Sequence, residues 1–392
     1  MVQVHSEMES SARIRVIGIG GSGKNAINHM VASKVKGVDF IVINTDAQDL
    51  QQSAAKAKIH IGKNLTRGLG AGMNPAVGKR AAEETQSEIQ DTLRGSDMVF
   101  IAGGMGGGTC TGAAPIVAKI AKETGALTVA VVTKPFSFEG QQRMRLAEQG
   151  LDELRKEVDA LIVIPNDRLL AVVDQNTTVR SAFALCDEVL RQAVEGVSDL
   201  ITTPGNINLD FADIKSIMED AGSALMGVGI AQGDKRAEEA ARLAINSPLL
   251  DISINGAKGV LLSIAGGEDL GLLEVQAAAQ IVTESIDKNA KVIFGTSKDE
   301  RLKKGEVRVT VIATGFPEEA PSVHGQPLFQ IGAKKEKKEE EAGKIYNTVM
   351  PSRVDDEEIV PPVRRDMPAP KPAEEDDEWA AVPAFLRRNR KN

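Results

Sequence analysis

Five short runs of apolar, largely β-branched residues recur in the first half of the chain, separated by stretches with helical spacing: Ile14-Arg15-Val16-Ile17-Gly18, Phe40-Ile41-Val42-Ile43-Asn44, Met98 to Ala102, Leu127 to Thr133 and Leu161 to Pro165. Runs that are apolar almost throughout are buried on both faces, so this order predicts a parallel sheet covered by helices on each side. Nearly every run ends in glycine, asparagine, threonine or proline. The informative loops therefore lie at the carboxyl ends of the strands, where open α/β sheets hold ligands.

From Thr177 to Thr202 the positions Val179, Phe183, Cys186, Leu190, Ala193 or Val194, Val197 and Ile201 recur at three- and four-residue steps and predict one long helix, N-capped by Thr177 or Thr178 and stopped by Pro204-Gly205. Beyond it, helices are expected near Phe211 to Met226 and across Arg236 to Ala244. Strands are expected at Gly259 to Ala265, Lys291 to Phe294 and Val307 to Ala313, enough for a second core. After Phe316 the pattern dissolves. Lys334 to Glu341 is a mixed charge block and 351–372 is rich in proline, the composition of a disordered linker. Beyond it come the only tryptophan, Trp379, the apolar set Val382, Pro383, Ala384, Phe385 and Leu386, and then Arg387, Arg388, Arg390 and Lys391. This is a peptide suited to docking on a partner.

With 392 residues, 42% hydrophobic and 26% charged, the chain is long enough for two domains and a tail. A formal net charge of -8 leaves no broad basic surplus, which argues against nucleic-acid binding. Two cysteines, Cys110 and Cys186, form no disulfide framework, and the N-terminus lacks a basic-then-apolar leader pattern. No apolar run approaches the roughly 20 residues of a spanning helix. A cytoplasmic protein is expected, with membrane attachment only through partners.

The chemistry concentrates in glycine loops. Gly103 to Gly112, G-G-M-G-G-G-T-C-T-G, places six glycines in ten residues after the third run and before a helix-compatible stretch from Ala113 to Glu123. Glycine permits positive φ and close backbone approach, so such a loop suits a row of N–H groups around phosphate. Gly18, Gly20 and Gly23 fit G-x-G-x-x-G, with Asp46 placed as a dinucleotide fold places its ribose acid. The same stretch fits G-x-x-x-x-G-K, but Asn25 stands where a P-loop needs serine or threonine. A third loop, Gly68-Leu69-Gly70-Ala71-Gly72-Met73-Asn74-Pro75, weighs against the dinucleotide. One pyrophosphate needs one cradle, whereas three loops from adjacent strand ends could surround a triphosphate.

G-G-M-G-G-G-T-C-T-G closely resembles the tubulin signature G-G-G-T-G-[ST]-G. Together with G-I-G-G-S-G-K-N, N-T-D at 44–46, T-R-G-L-G-A-G-M-N-P at 66–75 and N-L-D-F-A-D at 208–213, it resembles the FtsZ family of bacterial tubulin-like cell-division GTPases, from about Ile14 to Phe316 and again in the last dozen residues. The resemblance implies an α/β, tubulin-like fold: a doubly wound, mostly parallel nucleotide-binding domain joined by a long central helix to a smaller α+β domain, with a disordered C-terminal tail. The implied segments are a flexible N-terminus at 1–12, a GTP-binding domain at 13–176, the central helix at 177–203 and an activation and polymerisation domain at 204–317. A linker at 318–378 and a partner-binding peptide at 379–392 follow.

It also implies a site for GTP or GDP with Mg2+. The nucleotide residues would be Gly20, Gly21, Ser22, Gly23, Lys24 and Asn25; Asn44; Gly70, Ala71 and Gly72; Gly104, Gly106, Gly107, Gly108, Thr109 and Cys110; and Thr133, Glu139, Arg143, Asn166, Phe183 and Asp187. Phe183 and Asp187 lie four apart on one helix face, where a ring could stack on a base and a carboxylate accept from guanine's adjacent N–H groups. The alternative for that pair is a core phenylalanine and a solvated acid. Glu139 and Arg143 are also spaced for a simple helical ion pair. Magnesium is expected through phosphate oxygens and water, with no ligand from side chains.

Asn208, Asp210 and Asp213 are the implied catalytic residues, entering a neighbouring subunit's nucleotide site in a head-to-tail homopolymer. Without the resemblance, Asp210 reads as an N-cap and Asp213 as a first-turn acid. The implied partners are further copies of the chain and, through Trp379, Pro383, Phe385, Leu386, Arg387 and Arg388, an actin-like membrane tether and other tail-binding division proteins at the mid-cell site. Cys110 departs from the family's glycine. Its side chain could crowd the phosphate turn, or be a reactive thiol at a helix N-terminus, and a filament scaffold with impaired hydrolysis is the competing reading. Ser22 and Lys24 stand where the family has glycine or small polar residues, with Lys24 a further phosphate contact.

Overall fold

The computed structural model describes residues 12–170, 177–203, 207, 209–247, 250, 253–299 and 301–316. The five expected strands form, slightly longer than their apolar runs, among β1 (Ile14–Ile19), β2 (Val38–Asn44), β3 (Ala57–His60), β4 (Met98–Gly104), β5 (Leu127–Lys134), β6 (Ala160–Pro165), β7 (Gly222–Gln232), β8 (Gly259–Gly266), β9 (Lys291–Lys298) and β10 (Glu306–Thr314). They make one sheet in the order β3-β2-β1-β4-β5-β6-β7-β10-β8-β9. Neighbours from β3 to β7 are parallel, β10 is antiparallel to β7 and β8, and β9 is parallel to β8. Strand β7 belongs to both halves: Gly222 to Ala224 pair with β6 and Leu225 to Gln232 with β10.

The helices are α1 (Gly20–Ala32), α2 (Ala47–Gln51), α3 (Lys63–Thr66), α4 (Pro75–Glu84), α5 (Gln86–Leu93), α6 (Thr109–Glu123), α7 (Gln141–Arg155), α8 (Asn166–Leu169), α9 (Val179–Thr202), α10 (Phe211–Met218), α11 (Arg236–Ile245) and α12 (Leu272–Thr283). Successive strand residues point to opposite faces, so Val16, Phe100 and Val131 pack toward α1 and α9, while Ile17, Ile101 and Val132 pack toward α6 and α7. This is why both faces read as apolar. A third core joins β8 and β10 to α11 and α12 through Val260, Leu262, Val309, Val311, Ala240 and Val282.

Helix α9 begins at its threonine cap, with Thr178 Oγ1 accepting from Ser181 N–H at 3.2 Å. Its 24 residues run about 36 Å at 1.5 Å per residue. The helix expected from Phe211 to Met226 stops at Met218 instead. Asp220 (φ 49) and Gly222 (φ 67) take left-handed conformations that end it, and residues from Gly222 onward are β7. The glycines there admit α11: a Cβ on Gly227 would lie 2.0 Å from Ala244 O, and one on Gly229 2.1 Å from Ala240 O. Strand β3 and helix α12 had no clear counterpart in the sequence pattern. The expectations for Asn208, for residues 1–11, and for 318–392, including Trp379, Pro383, Phe385, Leu386, Arg387 and Arg388, lie outside the described residues.

Candidate functional site

Strand β1 passes into α1 without a loop, Gly20 taking φ 71 at the joint. The first glycine motif is therefore a strand end and a helix start. A Cβ on Gly18 would meet Gly23 O at 2.4 Å, so these glycines let α1 lie tight on its strand. After β4 the chain needs only Met105 to Gly108 before α6 begins. Met105 N–H donates to Thr133 O at 2.9 Å, and Gly106, at φ 93, donates to Thr111 Oγ1 at 2.9 Å.

The two helix starts converge. A Cβ built on Gly20 would lie 3.4 Å from Thr109 Cβ and 3.5 Å from Cys110 N. Neither α1 nor α6 has a side-chain cap or an acidic residue in its first turn, whereas α2, α4, α9 and α10 are capped by Asp46, Asn74, Thr178 and Asp210. Two uncapped N-termini side by side present free N–H groups and the positive ends of two dipoles, a site for an anion. The third loop closes over it. Ala71 and Asn74 N would lie 2.9 and 2.8 Å from a Cβ on Gly108, while Gly70 and Gly72 are exposed.

Beside this anion site runs a cleft that gathers Ser22 and Asn25 from α1, Gly104 from β4, Thr133 from β5, Glu139 and Arg143, Asn166, and Phe183 and Asp187 from α9. The Arg143 guanidinium meets Glu139 Oε2 at 3.1 Å, not along one helix but across Gly140, which separates the turn ending at Glu139 from α7, and Phe136 N–H holds the other carboxylate oxygen at 2.9 Å. Among the described residues two buried side-chain polar atoms have no hydrogen-bond partner: Arg143 Nε and Asn166 Oδ1. Both belong to residues lining this cleft. Buried polar atoms are normally satisfied, so an unpaired donor and acceptor here mark where a polar ligand belongs.

At the α9 end, the Phe183 ring is 42% exposed and packs in a T-shaped pair with Phe136 at 5.4 Å. Burial pushes the Asp187 carboxyl up to about 6, with His29 pulling it the other way. The core-phenylalanine alternative does not fit a ring this open. Met105, Pro135, Cys186 and Leu190 also line the cleft and were not anticipated.

Several anticipated residues are held by partners within the protein. Ser22 Oγ accepts from Gly104 N–H at 2.7 Å and so ties the two glycine segments together. Lys24, expected as a further phosphate contact, is buried, and its Nζ pairs with Asp49 Oδ1 at 2.5 Å. Asn44 Nδ2 donates to the other Asp49 oxygen at 2.8 Å. Asp46, the ribose acid of the dinucleotide pattern, caps α2 by accepting from Gln48 N–H and Asp49 N–H. The Thr109 hydroxyl bonds that of Thr45 at 2.9 Å.

Cys110 also departs from expectation. It is the second residue of α6, outside the positive-φ positions, and its side chain is core, 4% exposed. Its Sγ would lie 2.6 Å from a Cβ on Gly103, so sulfur fills space the strand glycine leaves. Burial pushes the thiol up to about 12, the opposite of a reactive helix-terminal thiolate.

The acidic pair lies at the other end of α9. Asp187 and Thr202 are fifteen residues apart on that helix, about 22 Å along its axis. Beyond it Ile207 is pinned to β9 by two hydrogen bonds with Thr296, at 3.0 and 3.1 Å, and α10 opens with a capping box. Asp210 Oδ1 accepts from Ala212 N–H at 3.3 Å and Asp210 N–H donates to Asp213 Oδ2 at 3.4 Å. Both carboxylates are exposed, with room to accept more.

Comparisons with known proteins agree with this geometry. Residues 13–174 match the Tubulin/FtsZ family GTPase domain, and residues 222–317 match the FtsZ family C-terminal domain. Among solved structures, an FtsZ dimer from M. jannaschii is 48% identical over 79% of this chain and 89% of its own, with a TM-score of 0.76. CetZ2 from Haloferax volcanii, solved as a protofilament bound to GTPγS, shares the fold at 22% identity over 78% and 94% of the two chains, with a TM-score of 0.67.

Proposed function

The chain belongs to the FtsZ branch of the tubulin/FtsZ family and is a guanine-nucleotide-binding GTPase, and from that premise we propose that it assembles head to tail and hydrolyses GTP at sites shared between neighbouring subunits. One observation carries the reading. The anion-binding helix starts and the exposed pair Asp210 and Asp213 stand at opposite ends of α9, so one subunit cannot bring them together.

In this reading the N-termini of α1 and α6, with the amides of 104–109, hold the phosphates, and Arg143 Nε finds its partner on the ribose or phosphate. Asn166 Oδ1 accepts from the nucleoside, Phe183 stacks on the base, and Asp187 accepts from guanine's N1–H and amine. Asp210 and Asp213 of the adjoining subunit, with Asn208, orient the attacking water. Mg2+, an ion that keeps much of its hydration shell, would be carried on phosphate oxygens and water. When bound, it would neutralise charge on the transferring phosphoryl.

The rim of the cleft supports assembly. Leu69 and Phe138 are 71% and 64% exposed, apolar surface that a stacked subunit would cover. The M. jannaschii FtsZ dimer supports self-association as well. A heterologous contact that does not close makes filaments, and hydrolysis at the joint would weaken them. The biological reading is a division ring in the cytoplasm at mid-cell. No described helix is long and apolar enough to cross a membrane, and tethering through residues 379–392 is part of the same proposal.

The test is phosphate release followed with sedimentation across protein concentration, with GTP, GDP and ATP. A shared site gives GTP-specific pelleting and turnover that both vanish below one threshold concentration. Constant turnover per subunit down to high dilution overturns the shared site.

A further inference from the structure

We propose that Asp49 is a positioning residue of the nucleotide site, holding Asn44 toward the phosphate end of the cleft while keeping the Lys24 ammonium out of it. The inference rests on the GTPase reading above and adds a residue outside the nucleotide set derived from the sequence.

Lys24 occupies the lysine slot of G-x-x-x-x-G-K, one turn into α1. A lysine there in a phosphate loop would reach the phosphates. In this chain its side chain is 10% exposed and its Nζ ends on Asp49 Oδ1. A buried ammonium needs a paired anion, and Asp49, the third residue of α2, provides it.

The same carboxylate does a second job. Its other oxygen accepts from Asn44 Nδ2 at 2.8 Å, and Asn44 Oδ1 in turn accepts from Asp46 N–H at 3.3 Å. Asn44 is 3% exposed and ends β2, beside Thr45, whose hydroxyl bonds Thr109 at the start of α6. Asp49 is thus the hub at which α1, the end of β2 and α2 meet. It also sits against the anion site: a Cβ on Gly21 would lie 3.7 Å from Asp49 Oδ2. An unpaired carboxylate there would repel phosphate, and an unpaired ammonium would compete for it. Paired, the two charges cancel and leave the helix N-termini to set the field.

Three variants separate positioning from mere stability, each assayed by thermal melting, GDP affinity and steady-state GTP hydrolysis in the full chain. D49A leaves Asn44 and Lys24 without their partner, and KM for GTP rises about tenfold with kcat at saturation changing less than about threefold. D49N keeps an acceptor for Asn44 Nδ2 but leaves the Lys24 ammonium without its anion, and recovers part of that affinity. K24M/D49L removes the charge pair for an apolar one, so its melting temperature returns toward the parent while KM stays raised. If KM in the double variant returns together with the melting temperature, Asp49 is structural only and the proposal fails. It fails equally if D49A leaves KM unchanged. A parent protein that neither binds nor hydrolyses GTP would instead sink the underlying reading.

Discussion

Glu139 receives Arg143 Nη1 at 3.1 Å on one carboxylate oxygen and the Phe136 N–H at 2.9 Å on the other, a clamp that fixes the guanidinium while leaving its buried Nε unpaired. The arginine is therefore aimed before any ligand arrives. Replacing Arg143 by Ala removes both the charge and the waiting donor, and nucleotide affinity should fall by about tenfold or more. R143K keeps the charge but not the planar fork, and should recover little. Fluorescent GTP-analogue binding reads both. Equal affinity for R143A and the parent would show that Arg143 serves only the ion pair.

If Asp187 accepts from guanine as proposed, nucleotide binding should depend on pH. Guanine's N–H groups need an ionised acceptor, and burial raises this carboxyl to about 6. Affinity for GDP should thus be level above pH 7 and drop about tenfold per unit below pH 6. Protonation favours the empty protein, since a carboxyl raised on folding stabilises the fold at low pH and loses that contribution as pH rises through 6. D187N should flatten the profile and lose guanine preference, because an amide offers a donor where the base also donates. Titration calorimetry from pH 5 to 8 checks it, and a flat parent profile would rule out the role.

How much of this was legible beforehand depends on which force set each feature. The parallel strands and α9 were readable because burial on both faces and a three-four apolar repeat are written directly in residue type. Phe183 and Asp187 were readable as a pair on one face, and Asp210 as a cap. Asp49 was not, since its role exists only once α2 folds back over α1, although a lysine in so small-residue a motif already required a partner. Cys110 was misread because loop composition suggested a phosphate-facing turn. The helix starts at Thr109, and that rotation sends the thiol to the core. The run to Met226 was taken as helix because the positive φ values at Asp220 and Gly222 are tertiary outcomes, and α11 dictates the glycines of β7.

Cys110 should behave as a core residue. With the thiol pushed up to about 12 and 4% exposed, it should resist maleimide in the native state and react only on denaturation. C110A should cost about 1–2 kcal/mol in urea unfolding through the cavity beside Gly103. Rapid native labelling of Cys110, located by mass spectrometry, would revive the reactive-thiol reading.

The catalytic pair can be tested without losing its helix. D213N retains an oxygen to accept from Asp210 N–H, so α10 keeps its capping box and GTP should bind as in the parent. Hydrolysis should fall about a hundredfold or more if the carboxylate orients the water. Mixing D213N with R143A, at GTP too dilute to fill the R143A pocket, should restore turnover at about a quarter of the joints, where an intact pocket meets an intact acid. Additive activities with no gain on mixing would place both residues in one subunit's chemistry.

The last prediction concerns the joint between α9 and the second half of the molecule. Asp199 faces Glu195 on its own helix, Asp299 and Arg301 from the turn after β9, and Arg308 from β10. Glu195 takes Arg191 and Arg301, and Asp299 takes Arg308 at 2.9 Å, while Asp199 meets Arg308 at 3.9 Å. Burial and then Glu195 push its carboxyl up to about 7, more than the arginines pull it down. The folded state therefore holds this proton where the unfolded chain has lost it, and Asp199 stabilises at low pH and ceases to do so as pH rises through 7. D199N imitates the protonated form at every pH. It should melt a few degrees (~2–6 °C) above the parent at pH 8 and by clearly less at pH 5, the offset closing only toward about pH 4, the range of an unfolded aspartate. An equal offset at both pH values would mean that Asp199 is ionised throughout, its charge already satisfied by the arginines.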